Sequence, residues 1–144
     1  MFVSFHRNSS PTPNTYGGVQ ALVYNDSGFK GTLARNINEN LVALGFEDKG
    51  VVERPNLVVL KRTKMPAVLL ELGFINSDKD NQLFDEKFNE IAQAIADGII
   101  DTLNSNGITA SQMSRYTVQV GRLEILCWQT DRQMNLKCRA FLLI

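Results

Sequence analysis

Two polar residues follow apolar segments of the sequence, and their types suit hydrolytic chemistry. Glu71 follows the aliphatic and small residues 67–70, and His6, the only histidine, follows residues 2–5. An ionised carboxylate buried without a partner is strongly unfavourable, so Glu71 requires a proton, a cation, a metal or a substrate beside it. If each segment is an interior strand of a parallel sheet, both side chains face the crevice where such sheets bind ligands. A histidine and a carboxylate in that crevice predict a metal-assisted hydrolytic site.

The rest of the sequence predicts the strands and helices that would position this pair. Apolar segments predict strands over residues 1–6, 19–24 and 57–60 and over the segment that carries Glu71. Apolar residues recur every three or four positions over 29–44 and 83–103, which predicts amphipathic helices packed on a sheet. Turn-forming residues predict loops at 8–18, 50–55 and 73–80. Because strands alternate with helices, the predicted fold class is α/β, with a twisted, mainly parallel sheet flanked by helices.

Composition and charge narrow the classes of partner. The 144 residues, 44% apolar and 21% charged, suffice for one globular domain with a core. Fifteen basic residues balance fifteen acidic ones, so no net field favours nucleic acid or an anionic membrane. No apolar stretch approaches the roughly 18 residues that cross a bilayer, and residues 1–8 lack the features of a signal peptide. We therefore expect no nucleic-acid partner, no membrane insertion and no export signal in this chain.

Four segments resemble the zinc-dependent N-acetylmuramoyl-L-alanine amidases, which are cell-wall hydrolases of bacteria and phages. The segments are residues 2–8 (FVSFHRN), 18–24 (GVQALVY), 50–60 (GVVERPNLVVL) and 65–75 (MPAVLLELGFI). They follow one another in the family's order and spacing over residues 1–102. The resemblance implies hydrolysis of the amide bond between N-acetylmuramic acid and the L-alanine of the stem peptide. It also implies zinc (Zn2+) as the cofactor, peptidoglycan as the partner and the cell wall as the place of action. Without an export signal, the protein would stay in the cytoplasm until lysis or release.

The resemblance also implies roles for individual residues. His6 resembles the last of three zinc ligands, and Glu71 resembles the catalytic carboxylate. Asn8, Arg54 and Asn76 are further candidates for contacts with the sugar or the peptide of the substrate. Without the family context, His6 would be interpreted as a core histidine, and Glu71 as a partner of Arg54 or Lys64 in a salt bridge.

The sequence departs from the family at its amino end. The family's first strand with its Gly-rich, histidine-bearing loop, and the segment with the glutamate ligand, have no counterpart here. No second histidine is present to complete a zinc site. We therefore expect residues 1–103 to be the distal part of the catalytic domain, truncated at the N-terminus and weakly active or inactive alone. Two alternatives stay open: a non-catalytic peptidoglycan-binding or interaction fragment, and another zinc-dependent amide hydrolase.

The carboxyl end departs from any regular pattern. Residues 104–115 are polar and predict a linker. Residues 116–121 (YTVQVG) resemble the start of the sporulation-related (SPOR) peptidoglycan-binding repeat, but residues 122–144 show no period of 2 or 3.6. Codons read one nucleotide earlier permit the Gly-Ala-Phe start, the amphipathic helix and the Gly-Phe turn of that repeat. We therefore expect residues 116–144 to be a truncated, frameshifted repeat with an irregular structure, in which the two cysteines have no function.

Deleting residues 115–144 tests the frameshift interpretation. Because an out-of-frame tail would form no packed module, the deletion should change the free energy of unfolding by less than about 0.5 kcal/mol in urea denaturation. Restoring the frame by one nucleotide should create binding to purified sacculi. If the native tail already binds sacculi, or if the deletion unfolds the remaining domain, the frameshift interpretation is wrong.

Overall fold

Strands and helices alternate along the chain as the sequence predicts. The computed structural model describes residues 1–108, 118–120, 123–129 and 136–142. The elements are β1 (Phe2–Asn8), β2 (Val19–Val23), α1 (Gly28–Ala43), β3 (Asp48–Glu53), α2 (Val58–Lys61), β4 (Ala67–Phe74), α3 (Asp78–Glu86), α4 (Phe88–Ser105), β5 (Val118–Val120), β6 (Leu123–Gln129) and β7 (Leu136–Leu142). Among the described helices, none is both long and apolar enough to cross a bilayer.

The first four strands form one sheet. Their spatial order is β1-β4-β2-β3, so β4 is interior and β1 lies at an edge. β1 pairs with β4 and β2 pairs with β3 in parallel, whereas β2 and β4 are antiparallel. Two of the three pairings are parallel, and helices flank the sheet. The predicted α/β fold with a mainly parallel sheet is therefore confirmed.

The main core lies between one face of this sheet and the helices α1 and α4. Its largest contributions from β4 and α1 are Val68, Leu70, Leu72, Leu33, Ile37 and Leu41. The two helices approach each other closely at Gly98, where a Cβ atom would lie 2.8 Å from the backbone of Ile37. Any larger residue would push α4 away from α1, so this glycine sets the distance between the helices.

The opposite face of the sheet is covered less completely. A small cluster joins Leu22, Ala67 and Leu69 of the sheet to Leu60 of the short helix α2. Because successive strand residues point to opposite faces, Glu71 continues the row of Ala67 and Leu69 on this second face. The alternation of β4 therefore places its carboxylate away from the main core.

Several boundaries differ from the sequence predictions. The predicted loop at 50–55 lies largely within β3, whose half-buried edge position leaves no apolar run to reveal it. The predicted strand at 57–60 is instead the helix α2, because four apolar residues do not distinguish a strand from one helical turn. The predicted helix over 83–103 is two helices that meet at Lys87. The predicted loop at 73–80 contains the end of β4 and the start of α3.

The described parts of the tail form a second sheet. β5, β6 and β7 pair antiparallel in that order. The sequence analysis predicted an irregular structure over residues 116–144, whereas these three segments are strands that pair with one another. The backbone of β7 also runs close to α4, which itself extends to Ser105, inside the predicted linker. Residues 109–117, most of the predicted linker, lie outside the described residues.

A buried carboxylate holds the loops at the carboxyl end of β4. Asp80 is 1% exposed, and its Oδ2 atom accepts hydrogen bonds from the backbone N–H groups of Gly18, at 2.8 Å, and Phe74, at 2.7 Å. Gly73 has a φ of +77°, and a Cβ atom there would lie 2.9 Å from the Cβ of Asp80. Since Gly18 precedes β2 and Phe74 ends β4, Asp80 fixes the start of one strand beside the end of its neighbour.

Arg7 supports the same region from β1. Its guanidinium donates to the carbonyl oxygens of Leu72, at 3.1 Å, and Phe74, at 3.0 Å, and to Asn81 Oδ1 at 2.8 Å. Its charge also lies 4.6 Å from the centre of the Phe84 ring, which is a cation–π contact. Arg7 therefore anchors the edge strand β1 to both β4 and α3.

Replacing Asp80 should show how much its buried hydrogen bonds contribute to the free energy of unfolding. We expect Asp80→Ala to lower the free energy of unfolding by about 2–4 kcal/mol, because it leaves two buried N–H groups without an acceptor. Asp80→Asn keeps an acceptor oxygen and should lower it less. The exposed Asp101→Ala is the matched control, with an expected change of less than about 0.5 kcal/mol in urea denaturation. An Asp80→Ala effect as small as that of the control would contradict this assignment.

Candidate active site

The structure brings His6 and Glu71 together. They are direct partners in the parallel pairing of β1 with β4. Residues opposite each other on neighbouring strands point to the same face of a sheet. Both side chains therefore lie on the face that α1 and α4 leave uncovered. Glu71 is the fifth of the eight residues of β4, so the strand continues for three residues beyond it.

The carboxylate of Glu71 is only partly satisfied by its surroundings. The residue is half-buried, and its Oε2 atom is buried without a hydrogen-bond partner among the described residues. Burial raises the pKa of Glu71, and the nearby His6 lowers it in part. An unpaired buried carboxylate oxygen is rare in folded proteins and is a strong acceptor for a proton, a metal or a ligand.

The salt-bridge interpretation of Glu71 finds no support within residues 1–108. The ion pairs there join Arg35 to Asp26 and Lys49 to Glu47. Arg54 follows β3, and its backbone N–H donates to Val23 at the opposite end of β2 from the residue that pairs with Glu71. Gln20, which pairs with Glu71, and Val23 are three residues apart. At roughly 3.3 Å per strand residue, Arg54 therefore lies about 10 Å along the sheet from Glu71.

Two further polar side chains accompany the pair, and sequence reasoning missed both. Ser4 Oγ lies 3.0 Å from Nε2 of the exposed His6, two residues away on the same face of β1. Gln20 of β2 pairs with Glu71 from the other side, and its amide donates to the Lys49 carbonyl oxygen at 3.3 Å. Strand alternation alone could have identified Ser4. Gln20 could not be found, because its position depends on the non-local pairing of β2 with β4.

The candidate substrate contacts are divided between the two ends of the sheet. Asn8 ends β1, and its side chain accepts a hydrogen bond from the N–H of Ser9 at 2.8 Å. The Asn76 side chain accepts from the Ser10 N–H at 3.1 Å and donates to the Ser10 carbonyl oxygen at 2.6 Å. Arg54 lies at the other end and donates to the Glu53 carbonyl oxygen. The structure therefore brings Asn8 and Asn76 together and leaves Arg54 apart from them.

The donor types present fit zinc only in part. Imidazole nitrogen and carboxylate oxygen both bind zinc, and the free Oε2 of Glu71 lies beside His6 in register. A zinc site needs at least three protein ligands, with a water completing the tetrahedron in enzymes. Within the described parts of the chain, no group of three or more His, Cys, Asp or Glu side chains could hold a metal ion. These residues alone therefore do not form a complete zinc site.

Comparison with known proteins gives the site a family context. The sequence profile of the N-acetylmuramoyl-L-alanine amidase family matches residues 1–101. A probable cell wall amidase of Staphylococcus epidermidis is 30% identical over 100 residues, which are 68% of this chain and 33% of that protein. A sporulation-specific N-acetylmuramoyl-L-alanine amidase of Bacillus subtilis is 28% identical over 144 residues, covering 97% of this chain and 54% of the relative.

Solved structures show the same relationship. The crystal structure of an N-acetylmuramoyl-L-alanine amidase from Clostridium difficile 630 superposes with a TM-score of 0.65 and 33% identity, over 73% of this chain and 58% of that one. The chain spans between 33% and 58% of the length of these three proteins. Since the family profile covers more than half of the chain and the fold agrees with a solved member, the chain belongs to the N-acetylmuramoyl-L-alanine amidase family.

Proposed function

We propose that this chain is the distal part of a zinc-dependent amidase that cleaves peptidoglycan between N-acetylmuramic acid and L-alanine. The observation that carries the proposal is the register pair of Glu71 and His6, with a buried Glu71 oxygen that has no protein partner among the described residues. Membership of the amidase family supports the reaction. Relatives named as cell wall amidases support the cell wall as the place of action.

Glu71 is the proposed general base. Its free Oε2 can accept the proton of a water molecule that attacks the scissile carbonyl carbon, and the same carboxyl can then protonate the departing amine. Burial raises its pKa, and a carboxylate with a raised pKa is a stronger base than an ordinary one. The half-buried position thus favours the affinity of Glu71 for the proton.

His6 is the proposed zinc ligand within this chain. Zinc, when bound, would polarise the scissile carbonyl and lower the pKa of a bound water. Ser4 restrains the imidazole through its hydrogen bond to Nε2, and the register with Glu71 keeps the ring beside the base. Because the described residues supply only part of a ligand set, the zinc proposal depends on ligands outside them.

The remaining candidates keep different proposed roles. Asn8 and Asn76 hold the loop after β1, so we assign them to shaping the substrate cleft beside Glu71. Arg54, about 10 Å along the sheet, would meet the substrate away from the scissile bond. A second proposed function for the chain alone is non-catalytic binding to peptidoglycan, which is favoured by the incomplete ligand set among the residues that the structure describes.

A chimaera tests the catalytic proposal. Residues 1–101 of this chain would replace the matching part of the Clostridium difficile amidase, which supplies the rest of the fold. The chimaera should release peptides from purified sacculi and carry about one zinc per chain. Glu71→Gln should lower its turnover by roughly 10²–10⁴-fold, because the base is lost while the shape is kept. Zinc content should not change in that variant.

His6→Ala and Gln82→Ala complete the chimaera experiment. His6→Ala should lose zinc, measured by elemental analysis, together with activity. Gln82→Ala changes an exposed residue of α3 and should leave both unchanged. A folded chimaera that cleaves nothing would refute the amidase proposal, and full turnover in the Glu71→Gln variant would show that Glu71 is only structural.

The pH dependence of stability provides a test in the chain alone. Because burial raises the pKa of Glu71, the folded chain binds its proton more tightly than the unfolded chain does. This contribution to stability is complete below the unfolded pKa and is lost as the pH rises through the folded pKa. Glu71→Gln stays neutral, so its free energy of unfolding relative to the parent should increase from about pH 4 to pH 8.

Urea denaturation with chelator present measures this pH effect. The exposed Glu39→Gln is the matched control and should follow the parent at every pH. Parallel stability curves for the parent and Glu71→Gln would mean that ionised Glu71 is not disfavoured by the fold.

A further inference from the structure

Tyr16 presents an exposed aromatic ring near the candidate active site. Its side chain is 55% exposed, yet its ring stacks on that of Phe74, with ring centres 6.4 Å apart and an angle of 27° between the planes. Phe74 is buried beneath it. One face of the Tyr16 ring is therefore fixed against the protein, and the residue stays largely open to solvent.

The strand register places this stacked pair on the same face as the catalytic carboxylate. His6 pairs with Glu71, and two positions later Asn8 pairs with Phe74, with an irregularity between them. His6 and Asn8 share one face of β1. The irregularity adds one residue to β4 and reverses its alternation, so Phe74 points to that same face although Leu72 faces the main core. Phe74 lies three residues beyond Glu71, or about 10 Å along β4. A group stacked on Tyr16 would therefore lie on the same face of the sheet as Glu71, about 10 Å from it along β4.

The loop that carries Tyr16 is held in one conformation. Asn14 donates to Asp78 Oδ2 at 2.8 Å and accepts from the Asp78 N–H at 2.7 Å. Its backbone N–H donates to the Asn76 carbonyl oxygen at 2.9 Å, and its φ of 59° is a left-handed conformation that asparagine tolerates. Ser10 exchanges two further hydrogen bonds with Asn76. Binding to this loop therefore requires little ordering, which favours affinity.

The composition of this region indicates the chemistry of the ligand. Residues 8–25 contain no Asp, Glu, Lys, Arg or His, and the loop exposes the hydroxyl-bearing residues Ser9, Thr12 and Thr15. A stem peptide with ionised carboxylates would need cations here, whereas the charged group bonded to the loop through Asn14 is the carboxylate of Asp78. A neutral sugar needs an apolar platform for its C–H face and neutral hydrogen-bonding groups around it. The surroundings of Tyr16 match the sugar.

We propose that Tyr16 is a platform on which a sugar ring of the glycan strand stacks, so that the loop 8–16 binds glycan on the same face of the sheet as Glu71. The assignment deepens the proposed amidase function and rests on it. Tyr16 acts here as a substrate-binding residue, and the asparagines Asn14 and Asn76 act through it by holding the loop.

Binding of a neutral, uncleavable sugar tests the proposal in the 144-residue chain. The probe is the tetrasaccharide of β-1,4-linked N-acetylglucosamine, titrated against protein with isotopically labelled tyrosine rings and followed by NMR. The Tyr16 ring resonances should shift on binding. Those of Tyr24, an exposed tyrosine after the far end of β2, should not. The tripeptide L-alanyl-D-glutamyl-L-lysine, used as a second probe, should leave the Tyr16 ring unchanged.

Substitutions turn the titration into a quantitative test. Tyr16→Leu keeps an apolar cover over Phe74 but removes the ring. It should raise the dissociation constant of the tetrasaccharide by about 3–10-fold, which is a loss of about 0.7–1.4 kcal/mol in binding free energy. Tyr16→Phe and Tyr16→Trp should stay within about twofold of the parent, since the ring and not the hydroxyl makes the contact. Tyr24→Leu is the matched control and should bind as the parent does. Thermal unfolding of each variant verifies that it is folded.

Three results would overturn the assignment. They are a Tyr16→Leu affinity within twofold of the parent, a Tyr16 ring that the tetrasaccharide does not shift, and a Tyr16 ring that responds only to the tripeptide. Because the probe contains no scissile amide to a stem peptide, its binding does not depend on catalysis. An inactive chimaera with intact sugar binding would refute the amidase proposal alone, whereas an active chimaera without sugar binding would refute the Tyr16 platform alone.

Discussion

The site depends on the register in which the edge strand β1 pairs with β4. A slip of one residue would turn His6 towards the main core and leave Glu71 without its neighbour, because side chains alternate between faces. Arg7 holds this register through hydrogen bonds to the carbonyl oxygens of Leu72 and Phe74. The alternation of these strands thus serves two purposes, since one face builds the core and the other carries the polar pair.

The helices cover the two faces of the sheet unequally, which explains why Glu71 is only half-buried and has a raised pKa. The helices α1 and α4 bury one face, whereas α2 covers only the end of the other face around Leu69. Glu71 lies just past that cover, so it is desolvated enough to raise its pKa and open enough to meet a ligand. A fully buried glutamate would stay protonated, and a fully exposed one would be an ordinary, weaker base.

The loops at the carboxyl end of β4 are organised by buried and reciprocal hydrogen bonds. Asp80 joins the start of β2 to the end of β4, and Asn76 joins the β4–α3 connection to the loop after β1. These bonds give a polar, turn-rich segment a defined shape next to Glu71. Asn76 was chosen from the sequence as a substrate contact. In the structure, both its amide oxygen and its amide nitrogen form hydrogen bonds with the backbone of Ser10.

The sequence by itself determined the features that local patterns encode. Apolar runs located β1, β2 and β4, and the three-to-four-residue period located α1, because both signals arise from neighbours along the chain. Their residue types and positions after apolar runs selected His6 and Glu71 as a pair, and the resemblance to the amidases implied their roles. Local patterns also failed where burial was partial, as in the edge strand β3 and the single turn α2.

Only the tertiary structure decided which distant residues meet. Gln20 reaches Glu71 through an antiparallel pairing, Asp80 reaches Gly18 across 62 residues, and Tyr16 stacks on Phe74 from a loop without periodicity. Such contacts depend on strand order and register, which are collective results of packing the whole sheet against α1 and α4. The residue types for hydrolysis were therefore readable from the chain, whereas their surroundings required the fold.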